Sequence, residues 1–187
     1  MPILCKHSEN GLIWGIWKMD DAPDLSKRER ELIAVNSLMA ELCNETKTIQ
    51  HQESGKPFWE DESYHISISH TKGYAAVALH PFKEVGIDIE QYGDKVCRVR
   101  NKFLQPEEEK QVDKDDIYKL LLYWSAKETV FKVLGLEGVE LKQHIRIFPF
   151  VSAEQGTFHA MELKTGTNNQ FLIKYLIHKD FVLTYTV

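Results

Sequence analysis

The alternation of apolar and polar positions predicts most of the strands in this chain. Residues 11–19 (GLIWGIWKM) are typical of a strand, and the runs YHISISH (64–70) and GYAAVALH (73–80) predict two strands joined by a turn. Four more strands are predicted in the last quarter of the chain, near residues 143–150, 157–163, 169–177 and 181–187.

Apolar positions spaced at 3.6 residues predict two long helices. The first begins at Ser26, which stands three residues before Glu29 as in a capping box. The second runs from Ile117 to Leu134 and is followed by Gly135, a residue common just beyond helix ends. A further helix is predicted over residues 98–112, with Pro106 as a potential break.

The order of these elements divides the chain into two similar halves, residues 1–83 and 84–187. Each half runs from a strand to a helix and then to antiparallel strands. SHTKGYAAVAL (69–79) and IHKDFVLTYTV (177–187) both pass through His and Lys into an apolar strand. We therefore predict an α+β fold whose two halves are related by a pseudo-two-fold axis, with the active site at their interface.

Composition narrows the functional classes. A chain of 187 residues suits one domain, and its net charge of −5 argues against a general nucleic-acid binder. Cys5, Cys43 and Cys97 lack CxxC spacing, so neither a disulfide framework nor a zinc site is predicted. Polar residues interrupt every apolar run in residues 1–20, so the hydrophobic region of a signal peptide is not predicted there. No apolar run in the sequence has the length of a membrane span. These features favour a soluble, cytoplasmic protein with no membrane partner.

The segment VGIDIE (85–90) carries two carboxylates on one side of a predicted strand. Because strand side chains alternate between faces, Asp88 and Glu90 share a face opposite Ile87 and Ile89, with their Cα atoms roughly 6.6 Å apart. A strand with one solvated face would show the same alternation. The other interpretation is a pair of oxygen ligands directed at one metal ion.

The helix predicted over 117–134 carries charges within its apolar stripe. Lys127 and Glu128 follow Trp124 at helical spacing, and Lys132 lies one turn beyond Glu128. A surface Glu–Lys pair, worth about 0.2–1 kcal/mol, is the simpler explanation. A pair set among large apolar residues is instead costly unless it lies in a cleft or has partners, and we favour this second interpretation. Lys127 is then expected to be a structural ion-pair partner rather than a ligand.

Together these residues form the set that a phosphoryl-transfer site requires. Asp88, Glu90 and Glu128 supply three carboxylates, the hard ligands that Mg²⁺ prefers, and Lys132 could hold a phosphate beside the metal. The sequence contains no Walker loop and no protein-kinase signature.

These motifs resemble those of the 4′-phosphopantetheinyl transferase superfamily. VGIDIE is followed, 40 positions after its Asp88, by the Glu128 of WSAKETVFK. GKP (55–57), ISH (68–70) and FLQPEEE (103–109) also resemble segments of that family. With both halves in one chain and Glu90 present, the sequence is most similar to the monomeric surfactin-synthetase-activator (Sfp) type.

The resemblance implies a reaction, in which the 4′-phosphopantetheine arm of coenzyme A moves to a serine of an apo acyl or peptidyl carrier protein. Adenosine 3′,5′-bisphosphate is the product that leaves. By position, Asp88, Glu90 and Glu128 would bind Mg²⁺, and Lys132 would contact the pyrophosphate. Glu128 is the first candidate for the base that takes the serine proton, and Glu108 is the second.

The resemblance also assigns the nucleotide end of coenzyme A and its 3′-phosphate to Lys56, Ser69 and His70. Two of these residues have a structural alternative, since Lys56 could be a turn lysine and His70 a hydrogen-bonding residue at a strand end. Asn36 departs from the pattern, because related chains often carry Arg at this place in the first helix. Arg28 or Arg30 could take over that role.

Carrier proteins are typically acidic, so docking would need a basic surface. We expect it in the short basic segment of Lys95, Arg98, Arg100 and Lys102. A solvated charged segment would have the same composition. The rival function is a non-catalytic coenzyme A or carrier-protein binding module of the same fold. A third is a different metal-dependent phosphoryl enzyme, which the GKP and ISH segments disfavour.

Overall fold

A computed structural model describes residues 3–44 and 47–187, in which helices pack against antiparallel sheets. The strands are β1 (Ile3–Glu9), β2 (Leu12–Lys18), β3 (Gln50–His51), β4 (Pro57–Phe58), β5 (His65–Thr71), β6 (Tyr74–His80), β7 (Ile87–Gln91), β8 (Ile145–Ile147), β9 (Gln155–Glu162), β10 (Gln170–His178) and β11 (Phe181–Thr186). The helices are α1 (Lys27–Cys43), α2 (Lys95–Val99), α3 (Pro106–Glu109), α4 (Ile117–Leu134) and α5 (Leu141–His144), with a 3-10 turn at Arg100–Lys102.

Two sheets account for nearly all of these strands. One has the order β1-β2-β6-β5 and the other the order β7-β11-β10-β9-β8, while β3 and β4 form a short pair. The prediction of an α+β fold is confirmed. The pseudo-two-fold relation and the division into residues 1–83 and 84–187 stay predictions. No helix in the described part of the chain is long and apolar enough to cross a bilayer.

Helix α1 covers one face of the first sheet. The predicted capping box is present, because the Ser26 hydroxyl accepts from the Glu29 amide and the Glu29 carboxylate accepts from the Ser26 amide. The helix ends at Asn44, whose φ of 55° is a left-handed conformation that Asn tolerates. Its buried residues pack into a core with the sheet, namely Ala34, Val35, Leu38, Met39 and Leu42.

Helix α4 lies against β7 and β11 and is buried along most of its length. It begins and ends as predicted, with Asp116 accepting from the Lys119 amide and Gly135 at a φ of +56°. Gly86 allows the close approach of helix and strand, since a Cβ there would lie 2.3 Å from the Thr129 carbonyl oxygen. The hydroxyls of Ser125 and Thr129 both bond to that of Thr184.

The structure contradicts a continuous helix over 98–112 and confirms the break predicted at Pro106. The chain forms α2, the 3-10 turn and α3 there as separate short elements. The physical reason is Pro106, which starts α3 and requires an extended Gln105 before it, at φ −75° and ψ 158°. Strand β1 was not predicted, because polar residues such as Lys6 and Ser8 interrupt its apolar positions.

The two sheets meet where β5 runs parallel to β7. Hydroxyl groups on β5 accept hydrogen bonds from backbone amides of β7, so side chains link the two edges where a backbone ladder is absent. The bonds join Ser67 to Ile87, Ser69 to Ile89 and Thr71 to Gln91. This row of hydroxyls explains why polar residues alternate in β5 with Ile66, which is buried, and Ile68, which is partly buried.

Candidate active site

Asp88 lies at the centre of the contact between β5, β7 and α4. Its side chain is buried, and its Oδ1 atom accepts from the Ser69 hydroxyl and from Lys132 Nζ, each at 2.8 Å. Lys132 also donates to the Ile87 carbonyl at 3.0 Å. The other oxygen, Asp88 Oδ2, is buried and has no hydrogen-bond partner among residues 3–44 and 47–187. A buried carboxylate with one oxygen that lacks a hydrogen-bond partner can still accept a ligand.

Two more carboxylates lie close enough to Asp88 to feel its charge. Burial and then the charge of Asp88 raise the pKa of Glu90 to about 7, against an opposing hydrogen bond from Trp124. That bond runs from Trp124 Nε1 to Glu90 Oε1 at 2.8 Å. Burial and then Asp88 also raise the pKa of Glu128. Three carboxylates thus share a region in which Lys132 is the cation that lowers the pKa of both glutamates.

The period of α4 places its three contributing side chains on one face. Trp124, Glu128 and Lys132 follow one another at intervals of four residues, so all three face β7. The structure therefore brings together the four residues predicted for metal and pyrophosphate binding, which are Asp88, Glu90, Glu128 and Lys132. The ring centroid of Trp124 lies 5.2 Å from that of Phe103, and its indole also donates to Glu90.

The donor set fits a divalent cation of the Mg²⁺ class. Such a cation requires oxygen ligands with an excess of negative charge. The site supplies three carboxylates, and that of Asp88 has a buried oxygen without a hydrogen-bond partner. The described residues nevertheless contain no group of three His, Cys, Asp or Glu side chains already arranged as ligands. Lys132 contacts one oxygen of Asp88, and Trp124 contacts one oxygen of Glu90.

Glu108, the second candidate for the base, has a different environment. Its buried carboxylate accepts from Lys127 Nζ at 2.7 Å and from the backbone amides of Gln105 and Ile147. Lys127 has no exposed surface and donates in addition to three carbonyl oxygens, those of Phe103, Leu141 and Ile145. The structure does not bring Glu108 to the Asp88 carboxylate, and it places Lys127 in the ion pair expected of it.

The residues predicted for the nucleotide line two neighbouring cavities. Lys56, which forms an ion pair with Glu84, and Lys132 both line a cavity of about 490 Å³. His70 lines the next cavity, of about 640 Å³, together with Arg28 and Asn36. Ile68 lines both. Ser69, by contrast, is buried and bound to Asp88, so it supports the carboxylate.

Two contacts of this region carry no clear signal in the sequence. Nothing in the spacing of Trp124 indicates a bond to Glu90. Glu31 of α1 lies with its Oε1 atom 3.2 Å from His70 Nδ1. The helical position of Glu31, one turn after Lys27, predicts only a surface pair with that lysine.

The basic residues considered for carrier docking differ in availability. Lys95, Arg98 and Lys102 are exposed, and Arg98 pairs with Asp94 in solvent. Arg100 is half-buried and forms an ion pair with Glu109 at 3.1 Å. Three of the four therefore present charge at the surface near β7.

A comparison with protein families agrees with this geometry. The model of the family described as the 4′-phosphopantetheinyl transferase superfamily matches residues 84–186, more than half of the chain. No curated protein matches the sequence. The matched span contains β7 with Asp88 and Glu90, and α4 with Glu128 and Lys132. The chain therefore belongs to the 4′-phosphopantetheinyl transferase superfamily.

Proposed function

We propose that this protein transfers the 4′-phosphopantetheine moiety of coenzyme A to a serine of an apo acyl or peptidyl carrier protein. The observation that carries the proposal is the group of Asp88, Glu90, Glu128 and Lys132 at the contact of β7 and α4, inside the span that matches the superfamily. As in the Sfp type suggested by the sequence, one chain would supply the whole site.

The reaction is a displacement at phosphorus. The serine oxygen attacks the phosphorus that bears pantetheine, a new O–P bond forms, and the bond to the bridging oxygen breaks. Adenosine 3′,5′-bisphosphate leaves with that electron pair. Glu128 takes the serine proton, and burial and then the charge of Asp88 raise its pKa, which makes it a stronger base than an ordinary glutamate.

Lys132 is positioned to hold the pyrophosphate. Its ammonium group is partly exposed, lines the cavity shared with Lys56, and is anchored to Asp88 and the Ile87 carbonyl. Asp88, Glu90 and Glu128 would hold a divalent cation of the kind typical of this family, and that cation would offset the negative charge of the pyrophosphate. Ser69 orients Asp88 through its 2.8 Å hydrogen bond.

We assign Glu108 a structural role. Its carboxylate already accepts three hydrogen bonds and has almost no exposed surface, so a carrier serine could not reach it. The nucleotide end of coenzyme A would then lie in the cavities lined by Lys56 and His70.

The carrier protein would dock at the surface of Lys95, Arg98 and Lys102. Its acidic face would be complementary to these exposed cations, whereas Arg100 is largely withdrawn from solvent in its pair with Glu109. Reversal of charge in Arg98→Glu should raise the KM for the carrier several-fold and leave the KM for coenzyme A unchanged. Equal KM values for the carrier in wild type and variant would contradict this surface.

Intact-mass spectrometry of an apo carrier protein tests the reaction. Incubation with this protein, coenzyme A and Mg²⁺ should add one phosphopantetheine mass. Asp88→Ala should abolish the gain, and Glu128→Gln should slow it by about 10²–10⁴-fold. Asp113→Ala, a change of an exposed carboxylate, serves as the matched control.

The same assay separates the alternatives. Binding of coenzyme A without transfer to any of several carriers would favour a non-catalytic binding module. Hydrolysis of an unrelated phosphoester that depends on Asp88 would favour a different metal-dependent phosphoryl enzyme. Either result would contradict the proposed transferase.

A further inference from the structure

Trp124 fixes the carboxylate of Glu90 through its indole. Its Nε1 atom donates to Glu90 Oε1 at 2.8 Å, and the other oxygen, Oε2, accepts no hydrogen bond from the residues that the structure describes. The indole is itself held, because its ring packs edge to face on Phe103, which has no exposed surface. Glu90 therefore keeps one oxygen for a ligand, and a packed neighbour sets the orientation of its carboxylate.

The carboxylate of Asp88 is restricted in the same way. Its Oδ1 atom accepts from the Ser69 hydroxyl and from Lys132 Nζ, each at 2.8 Å. The buried Oδ2 atom has no partner in the described part of the chain. Glu128, the third carboxylate, accepts no hydrogen bond from residues 3–44 and 47–187, so it is the one able to bind a cation through both oxygens.

Strand β7 is held on both edges, so it cannot easily shift to bring more oxygens to a larger ion. On one edge its backbone pairs with β11. On the other edge, hydroxyls of β5 accept from the amides of Ile89 and Gln91, which flank Glu90. The backbone at Glu90 is therefore fixed, and the cation preference of the site depends on its side chains.

The number and rigidity of the ligand oxygens distinguish Mg²⁺ from Ca²⁺. Ca²⁺ takes about 6–8 oxygens and often binds a carboxylate through both atoms, whereas the smaller Mg²⁺ takes about six in a stricter geometry, several of them from water. A site in which Asp88 and Glu90 each offer one oxygen leaves Ca²⁺ short of ligands. It suits Mg²⁺, which completes its shell with water or phosphate oxygens.

We propose that Trp124 is a positioning residue that sets the cation preference of the site. By holding Glu90 to ligation through one oxygen, it favours Mg²⁺ over the larger Ca²⁺. This inference rests on the proposed function, because it concerns the cation that the transferase site would hold. Loss of a group that orients a metal ligand commonly lowers metal affinity about 10–100-fold, so the effect of this hydrogen bond is measurable as a change in Kd.

Calorimetric titration with Mg²⁺ and with Ca²⁺, in the absence of coenzyme A and carrier, measures the preference. Wild type should bind Ca²⁺ no more tightly than Mg²⁺. Trp124→Phe keeps an aromatic ring beside Phe103 but removes the donor, so Glu90 can turn and bind through both oxygens. The Kd for Mg²⁺ should rise about tenfold and that for Ca²⁺ should not rise, so the ratio of the two shifts about tenfold towards Ca²⁺.

Two further variants control the result. Trp59→Phe makes the same change at a buried indole whose Nε1 atom has no hydrogen-bond partner among the described residues, and both Kd values should match wild type. Trp124→Met fills the space of the indole without a donor and should reproduce the shift seen in Trp124→Phe. Circular dichroism detects a variant that fails to fold, and the wild-type comparison of the two cations then still tests the proposal.

The outcomes separate positioning from general support of the site. An equal rise of both Kd values in Trp124→Phe, or no change in either, would overturn the proposal. A wild type that binds neither cation, or that binds Ca²⁺ more than about tenfold more tightly than Mg²⁺, would also overturn it. These titrations need no turnover, so they decide the role of Trp124 even if no carrier is modified, whereas the mass-spectrometric assay decides the transferase function.

Discussion

Helix α4 carries two buried charge clusters that differ in how completely they are satisfied. On one side Lys127 has four acceptors, the Glu108 carboxylate and three carbonyl oxygens, and no exposed surface. On the other side Asp88 keeps an open oxygen. The neighbouring Glu90 and Glu128 have pKa values raised by burial and by the charge of Asp88.

The difference separates a structural charge from a functional one. Lys127 and Glu128 are adjacent in sequence, and each lies among large apolar residues. A buried charge whose hydrogen bonds are all satisfied holds together the chain segments that supply its partners. A cluster with surplus negative charge and an open oxygen costs stability and is retained where a ligand completes it.

The largest effect on stability is expected in the cluster of Lys127 and Glu108. Lys127→Met leaves the buried Glu108 carboxylate and three carbonyls without their donor, and should lower the free energy of unfolding by about 3–5 kcal/mol. Urea titration followed by circular dichroism measures the change. Lys114→Met, at an exposed position before α4, should change it by less than about 0.5 kcal/mol. A loss below about 1 kcal/mol for Lys127→Met would remove the contrast between the two clusters.

In the cluster of Asp88, Glu90 and Glu128, removing a charge is expected to raise stability instead. Burial and then the charge of Asp88 hold the pKa of Glu90 at about 7, above its ordinary value of 4.5. The folded protein therefore binds a proton between these pH values that the unfolded chain has released. Stability due to this group is fully present below pH 4.5 and is lost as the pH rises through 7.

Glu90→Gln should remove that loss. At pH 8 the variant should be more stable than wild type by up to about 3 kcal/mol, and at pH 4 the two should agree. Urea titrations at pH 4, 6 and 8 give the comparison, with Glu107→Gln as an exposed control. A stability difference that is the same at all three pH values would contradict the raised pKa.

The smallest effect distinguishes two serines of the same strand. The hydroxyls of Ser67 and Ser69 each accept from a β7 amide, but that of Ser69 also donates to Asp88. Ser67→Ala and Ser69→Ala should each cost about 1 kcal/mol. Only Ser69→Ala should lower kcat, about tenfold, because Asp88 loses a donor that orients it. Equal losses of kcat in the two variants would show that Ser69 has no special role.

Local periodicity predicts the parts of the site but not the contacts between them. Period 2 places Asp88 and Glu90 on one face of β7, and period 3.6 places Glu128 and Lys132 on one face of α4. That the two faces meet depends on packing, including the space that Gly86 leaves for the Thr129 carbonyl. The sequence predicts a charge pair at 127 and 128, and only the fold shows which of the two is fully paired.

Contacts between distant segments account for what the sequence could not show. Glu31 and His70 belong to α1 and β5, and no local pattern relates them. Strand β1 has weak alternation and is recognised by its pairing with β2. The helix expected over 98–112 is divided because Pro106 requires an extended Gln105 before it, between the 3-10 turn and α3.

The row of hydroxyls between β5 and β7 has a consequence for how the chain can be divided. The span that matches the superfamily begins at residue 84, just after the strands that supply these hydroxyls. Expressed alone, it would leave the amides of β7 on an open edge, beside the apolar surface of Val85, Ile87 and Ile89 that residues such as Trp14 and Tyr74 now cover. An exposed apolar edge strand pairs readily with other chains. The segment that carries the chemical groups would thus be prone to aggregate, and residues 3–80 act as its solubilising cover.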